Sequence, residues 1–423
     1  MKLNKIDLQI SKLIEKEKER QETTLEMIPS ENHTSKAVRE ALGSILTDKY
    51  AEGYPGKRYY AGLEFYDQIE DICRERAKKL FSPYRGSAVG GKVVHVNVQP
   101  YSGSPANQAV YFALLEPGDT VMGMALPHGG HLTHGWKISF SGKYYNSIQY
   151  GVDKKTNLLN YDEIEKLAKK VKPKLIWVGA TAYPRIFDWE KLGKIADSVG
   201  AYLAADIAHI AGLIVAGVHP SPVPYVHIVT TTTHKTLRGP RGGMIMVTEK
   251  GLKKDLELPQ KIDKAVFPGL QGGPHENNIA AIAVCLKEAS TPAFKKYGRQ
   301  IVKNAKTLAQ ELLKYKFNLI TGGTDNHLIL IDLRNKGISG KETQIRLEKA
   351  GITINKNTIP FDPNPPFNPS GIRLGTPAIT TRGMKEKEMK KIAAWINKVI
   401  LNPKSCLKIR KEVKNLCEKF PLP

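Results

Sequence analysis

Lys235 stands in Thr230-Thr231-Thr232-Thr233-His234-Lys235-Thr236-Leu237-Arg238-Gly239-Pro240-Arg241-Gly242-Gly243, a stretch that glycine and proline close off. The β-branched run from His227-Ile228-Val229 leads into it and reads as a buried strand. Partial desolvation where such a strand stops favours the neutral lysine amine, and a neutral amine attacks carbonyls. Ala201–Ala205 is a second apolar strand candidate, ending at Asp206, with His209 just beyond. Two such strand ends can meet at the carboxyl edge of a parallel sheet, where α/β folds bind ligands. Pyridoxal 5'-phosphate (PLP) chemistry needs this pair: an amine to capture the aldehyde and an acid facing the pyridine nitrogen. A capping aspartate and a surface lysine would explain each residue singly; the ordered pair points to PLP.

Other stretches offer supporting chemistry. Val96–Asn107 reads as a strand, a small-residue turn and a helix, with Ser104 as N-cap and Pro105 at the first helical position. Free amides there would bind a phosphate, although an ordinary capped helix has the same signature. Tyr50–Tyr60 is too rich in Gly, Pro and Tyr for a regular element and reads as an ordered loop, holding proton donors and acceptors beside flat rings. His128, His131 and His134 recur at a metal-like spacing, but no carboxylate or cysteine lies within their motif, so no metal is expected. Arg373, flanked by small residues in Ser370-Gly371-Ile372-Arg373-Leu374-Gly375, can present a bidentate fork to a carboxylate or form a surface ion pair.

Thr230–Gly243, together with Asp206–Gly212, resembles serine hydroxymethyltransferase, and the likeness runs from about Met27 to Trp395. Arg238 occupies a place where a small residue is common, and Tyr101 one where a histidine is expected. The resemblance implies an aminotransferase-like (fold type I) PLP enzyme that moves the hydroxymethyl carbon of serine to a reduced pterin, reversibly, leaving glycine. It implies Lys235 as the PLP lysine and Asp206 on the pyridine nitrogen. It places His131 on the ring face, Thr181 and His209 near the phenolic oxygen, and Gly103, Ser104 and His234 on the phosphate. Ser30, Tyr50 and Arg373 would hold the substrate carboxylate, Tyr60 would transfer protons, and Glu52 would be the acid/base at the hydroxymethyl group. Leu126, Gly130, Leu132 and Asn357 match positions near the pterin. Phe361 and an apparent insertion at Ser82–His95 make tetrahydromethanopterin an alternative to tetrahydrofolate. Tyr50, Glu52, Gly272 and Gly273 would reach the PLP of a partner subunit, making a homodimer with shared sites.

To hold these residues the chain needs an α/β fold. Strand candidates near 96, 121, 175, 202 and 227 alternate with helices near 105, 161 and 189, the rhythm of a mostly parallel sheet. Three parts are expected: a helical arm at 1–28, a PLP-binding large domain at 29–284 and a smaller α+β domain at 285–423. Residues 5–26 read as one polar helix with Ile6, Ile10, Leu13 and Ile14 as its stripe, suited to packing on a partner subunit. Beyond Lys398, Ile409, Val413, Leu416 and Phe420 outline a last amphipathic helix.

The 423 residues suffice for two cores. No apolar run approaches the ~20 residues of a membrane span, the N-terminus lacks a signal peptide's apolar core, and Cys73, Cys285, Cys406 and Cys417 form no CxxC pair. A cytoplasmic protein with reduced cysteines is expected. The charge of +23 raises nucleic-acid binding as a rival, but the basic clusters lie on predicted helices without interleaved aromatics, so nucleic acid is not expected as a partner. A threonine aldolase-type lyase is the nearer alternative, since it also breaks Cα–Cβ through PLP; a glycine acyltransferase would need a coenzyme A site that is not evident.

Overall fold

A computed structural model describes residues 2–82 and 90–423, so positions 83–89 of the expected insertion lie outside the described residues. The chain divides into two compact units, 34–299 and 1–33 with 300–423. The larger unit is built on a seven-stranded sheet. Its strands in chain order are β1 (Val93–Asn97), β2 (Thr120–Met124), β3 (Asn146–Tyr150), β4 (Leu175–Val178), β5 (Tyr202–Asp206), β6 (Ile228–Thr232) and β7 (Gly243–Thr248). The spatial order is β1-β7-β6-β5-β4-β2-β3, and only β7 runs antiparallel to its neighbours. The expected mostly parallel sheet is present; β3 and β7 are additions to the expected set.

Alternation along the buried strands feeds two cores. Ile176, Leu203, Val229 and Met244 join one cluster, while Trp177, Ala204, Ile228 and Ile245 join the other. Both faces of the sheet are therefore covered, which is why its strands read as unbroken apolar runs. The register sets Asp206, the last residue of β5, opposite Thr230 of β6. Lys235 follows the end of β6 on the same edge.

The smaller unit holds a four-stranded antiparallel sheet of β8 (Asn318–Leu319), β9 (Leu328–Asp332), β10 (Asn355–Asn357) and β11 (Gly371–Gly375), in the order β8-β9-β11-β10. The unit boundaries differ from those expected, for two physical reasons. Leu25–Glu26 pairs in parallel with Ile352–Thr353, which ties the leading segment to the C-terminal unit. The expected break at 284/285 falls inside the helix Glu276–Ala289, whose Ile282, Cys285, Leu286 and Ala289 are buried in the larger unit's core.

The leading helix is also two pieces, Leu3–Ile6 and Leu8–Thr23. Asp7 interrupts it and accepts a hydrogen bond from the Ile10 amide at 2.9 Å, capping the second piece. The second piece packs beside the expected last helix, Cys406–Glu418, while Ile6 and Leu13 stay 71% and 53% exposed.

Arg382 fastens the ends of these two helices. Its guanidinium is 5% exposed and donates to the Gln21, Glu22 and Thr24 carbonyls at one helix end and to Cys417 and Phe420 at the other. The Cys417 carbonyl also accepts from the Phe420 amide at 3.0 Å, and a cation suits both C-terminal dipoles. Arg382→Met keeps the apolar stem but strands the buried carbonyls. The expected loss is about 3 kcal/mol, lowering the thermal midpoint of the cofactor-free chain by several degrees; an unchanged midpoint would contradict the role given to Arg382.

Candidate active site

Asp206 is the centre of the carboxyl-edge cluster. Its Oδ2 accepts from Asn107 Nδ2 at 2.8 Å and lies 3.1 Å from His134 Nε2, while Oδ1 accepts from the Ala208 amide at 3.0 Å. Burial opposes the charge, but the hydrogen bond and charge of His134, with His131 and Lys235, hold the carboxyl well below the usual range. Asn107 Oδ1 in turn accepts from Thr230 Oγ1 at 2.6 Å, so the helix Gly103–Leu114, β5 and β6 are locked around one carboxylate. His134 stacks on Trp177, with ring centroids 5.3 Å apart and planes within 7°.

His131 lies beside this carboxylate. Its Nδ1 is 2.7 Å from Thr133 Oγ1 and accepts from the Thr133 amide, which leaves the proton on Nε2. Burial, then the charge of His134, pushes its pKa down to about 4, so the ring is neutral. Burial and Lys235 likewise push His234 to about 3. Ligating atoms of His131, His134 and Asp206 fall within 4.8 Å of one another, so folding supplies the carboxylate that the histidine motif lacks. Each of the three is already engaged in the hydrogen bonds above.

The turn expected to hold a phosphate starts its helix two residues earlier than the sequence suggests. The helix begins at Gly103 with Ser102 as N-cap, and Pro105 occupies its third position, not its first. Proline there removes one of the amides that lack intrahelical partners. Ser102 makes no side-chain cap, which leaves the Gly103 and Ser104 amides open to an anion. A Cβ on Gly103 would come within 2.6 Å of the Thr232 methyl, so the turn is tight enough to require glycine. Thr232 Oγ1 and His234 Nδ1 are buried without hydrogen-bond partners. A neutral histidine, orphaned polar atoms, open helix amides and an amine beside a stable carboxylate fit PLP, with its phosphate, ring and aldehyde.

The remaining expected residues fall into further groups. Thr181 Oγ1 donates to the Gly130 carbonyl at 2.9 Å, which fixes the turn that carries His131. The His209 carbonyl accepts from Thr236 Oγ1, just after Lys235. Leu126 lies in the short helical turn Leu126–His128, Leu132 is 42% exposed, and a Cβ on Gly130 would strike the Met124 carbonyl at 1.9 Å. The Tyr50 and Tyr60 rings meet at a tilt of 59°, with centroids 5.3 Å apart. A Cβ on Gly272 would lie 3.2 Å from Glu52 Oε1, and one on Gly273 would lie 3.2 Å from the Tyr50 ring.

Thr133 and Asn107 were missed by sequence reasoning, while Tyr101 and His134 were noticed there but given no place among the site residues. Tyr101 donates to the Gly273 carbonyl at 2.9 Å and stacks on His275 at 4.3 Å, so it braces the Gly272-Gly273 loop. A buried Asn on an otherwise apolar helix was the available signal for Asn107. The unusual Arg238 adopts φ 64 and lays its guanidinium over Tyr297 at 4.5 Å, on the helix Pro292–Lys314.

In the smaller unit, Arg373 on β11 is 8% exposed and donates from Nε to Asn355 Oδ1 at 3.1 Å. Burial pushes it down to about 10, against the field of Glu31. Ser30 lies in the turn closed by the Glu31 amide on the Ile28 carbonyl at 3.0 Å. Burial and Glu31 push Glu26 up to about 8. Asn357 ends β10, and Phe361 follows with φ 56 and 43% exposure.

A family model for serine hydroxymethyltransferase matches residues 3–396. The chain belongs to the serine hydroxymethyltransferase family. It is therefore a PLP-dependent fold type I transferase that interconverts serine and glycine with a reduced pterin as one-carbon carrier. No helix among the described residues is long and apolar enough to cross a membrane. If Asp206 faces the pyridine nitrogen, as expected from the sequence, Asp206→Ala removes that counter-charge. Cofactor retention should weaken and serine turnover should fall by orders of magnitude; full occupancy with normal turnover would contradict this placement.

Proposed function

We propose that the serine hydroxymethyltransferase reaction is carried by Lys235, Asp206, Arg373, Tyr60 and Glu52, within sites completed by a second copy of the chain in the cytoplasm. The observation that carries this reading is the Asp206 carboxylate, held ionised by its neighbours on the edge that Lys235 shares. PLP supplies the electron sink for the bond broken at Cα. The Asp206 carboxylate would keep a proton on its ring nitrogen, and the Lys235 amine would hold its aldehyde carbon. Neutral His131 would offer the ring a flat face without adding charge, and Thr181 and His209 would serve its phenolic oxygen. The Gly103 and Ser104 amides, with His234, take the phosphate.

Arg373, with Ser30 and Tyr50, would offer the serine carboxylate a planar fork and so orient the amino acid for cleavage at Cα. Glu52 would take the proton from the serine hydroxyl as Cα–Cβ opens and return it to that oxygen as the pterin captures the carbon; one pterin N–H proton completes the departing water and the other goes to Cα, which gives glycine. Tyr60 would move the proton of the substrate amine. Leu126, Gly130, Leu132 and Asn357 line the pterin.

Within one protomer, Tyr50 and Glu52 pack on Gly273 and Gly272, while Lys235 acts electrostatically on Asp206, His131 and His234. These are two half-sites, and a partner copy joins them. Co-expression of Glu52→Ala and Lys235→Ala chains with different tags tests this arrangement. The isolated hybrid has one site with both lesions and one with none; random pairing makes about half the dimers hybrids and about a quarter of all sites intact. Both parent homodimers should be inactive and the hybrid active in pterin-dependent serine cleavage. A folded hybrid without recovered activity would place Glu52 and Lys235 of each site in one subunit.

A further inference from the structure

Arg58 is buried beneath the loop that carries Glu52, its side chain 4% exposed. Nε donates to Asp67 Oδ1 at 2.8 Å and Nη2 to Glu70 Oε2 at 2.8 Å. Nη1 donates to the carbonyls of Ala51 and Gly53, at 2.8 and 2.9 Å, so it grips the backbone on both sides of Glu52. Gln99 Nε2 adds a bond to the Gly53 carbonyl and two to Glu70. The Tyr59 amide closes the loop on the Glu52 carbonyl at 3.0 Å.

Glu276 faces this assembly from the first turn of the helix Glu276–Ala289. It is 1% exposed, its Oε1 lies 3.5 Å from Arg58 Nη2, and neither carboxyl oxygen has a hydrogen-bond partner. One guanidinium thus meets three carboxyls, from Asp67, Glu70 and Glu276. Burial and Glu70 push Glu276 up to about 8, and burial raises Glu70 as well. The helix Glu64–Phe81 also turns Tyr66 and Cys73 into the field of Glu276. On the neighbouring helix Lys36–Leu42, Arg39 bonds to the Thr34 carbonyl and Lys36 pairs with Glu40.

We propose that Glu276 is a positioning residue for Glu52: uncharged, it leaves Arg58 on the Ala51 and Gly53 carbonyls, and on ionising it draws Arg58 away and loosens the loop. The guanidinium is planar and rigid, so a swing of Nη2 toward a charged Glu276 moves Nη1 off both carbonyls together. The consequence for turnover rests on the reading of Glu52 as the acid/base; the loosening of the loop does not.

Glu276→Gln keeps the shape and removes the ionisation. Hydrogen exchange at the Tyr59 amide, wild type relative to this variant, cancels the intrinsic pH dependence. The ratio should be near one at pH 7 and several-fold higher at pH 9. The alkaline limb of kcat for pterin-dependent serine cleavage should move up by at least about one pH unit in the variant, with KM for serine unchanged. Glu276→Met, also neutral, should behave the same way, which guards against a new contact made by the amide. An exchange ratio flat from pH 7 to 9 overturns the proposal. A rising ratio with an unmoved kcat limb overturns the link from loop to Glu52. Failure of Glu52 itself as acid/base would appear separately, as activity in the Glu52→Ala homodimer.

Discussion

A carboxylate kept charged inside the protein is the constraint on which the active-site edge depends. Removing an ion from water costs several kcal/mol unless bonds and nearby charge offset it. Asp206 meets that requirement with donors from three directions: Asn107 on the helix Gly103–Leu114, His134 beyond β2, and the backbone amide of Ala208. The same groups fix geometry. Asn107 can serve Asp206 only while Thr230 serves Asn107, so the register of β5 against β6 and the seating of the Gly103 helix are one decision. Lys235 then stands where a neighbouring anion, two neutral histidines and open helix amides converge on one kind of ligand.

Much of this edge was legible in the sequence because each strand there is covered on both faces and ends in a polar residue. Ile228–Thr232 and Tyr202–Asp206 announce themselves as apolar, β-branched or small runs with chemistry at their C-terminal ends. What sequence reading missed depends on tertiary neighbours. β7 is a short apolar run behind glycines that could equally have been loop, and it becomes a strand by pairing antiparallel with β1 and β6. Ser102 displaced Ser104 as N-cap because the helix starts where the chain must clear Thr232, which local propensity does not encode. Asn107, Thr133 and His134 gain their roles only when three separate segments meet.

The unit boundaries carry the same lesson. A polar leading helix looks like an independent arm until Leu25 pairs with Ile352 and Arg382 collects carbonyls from both ends of the smaller unit. Charge-bearing side chains buried against backbone recur at the sites where this fold needs a fixed loop or helix end. Arg382 does this for two helix termini and Arg58 for the segment around Glu52. Guanidinium suits the task because its donors lie in one rigid plane.

The central claim is that Lys235, placed by β6 beside Asp206, is the residue to which the cofactor is attached. Borohydride treatment of the PLP-loaded enzyme followed by peptide mapping tests it most directly. The account predicts a pyridoxyl group on the peptide containing Lys235, and no stable adduct in Lys235→Ala. An adduct on another lysine of the active wild-type enzyme would contradict it.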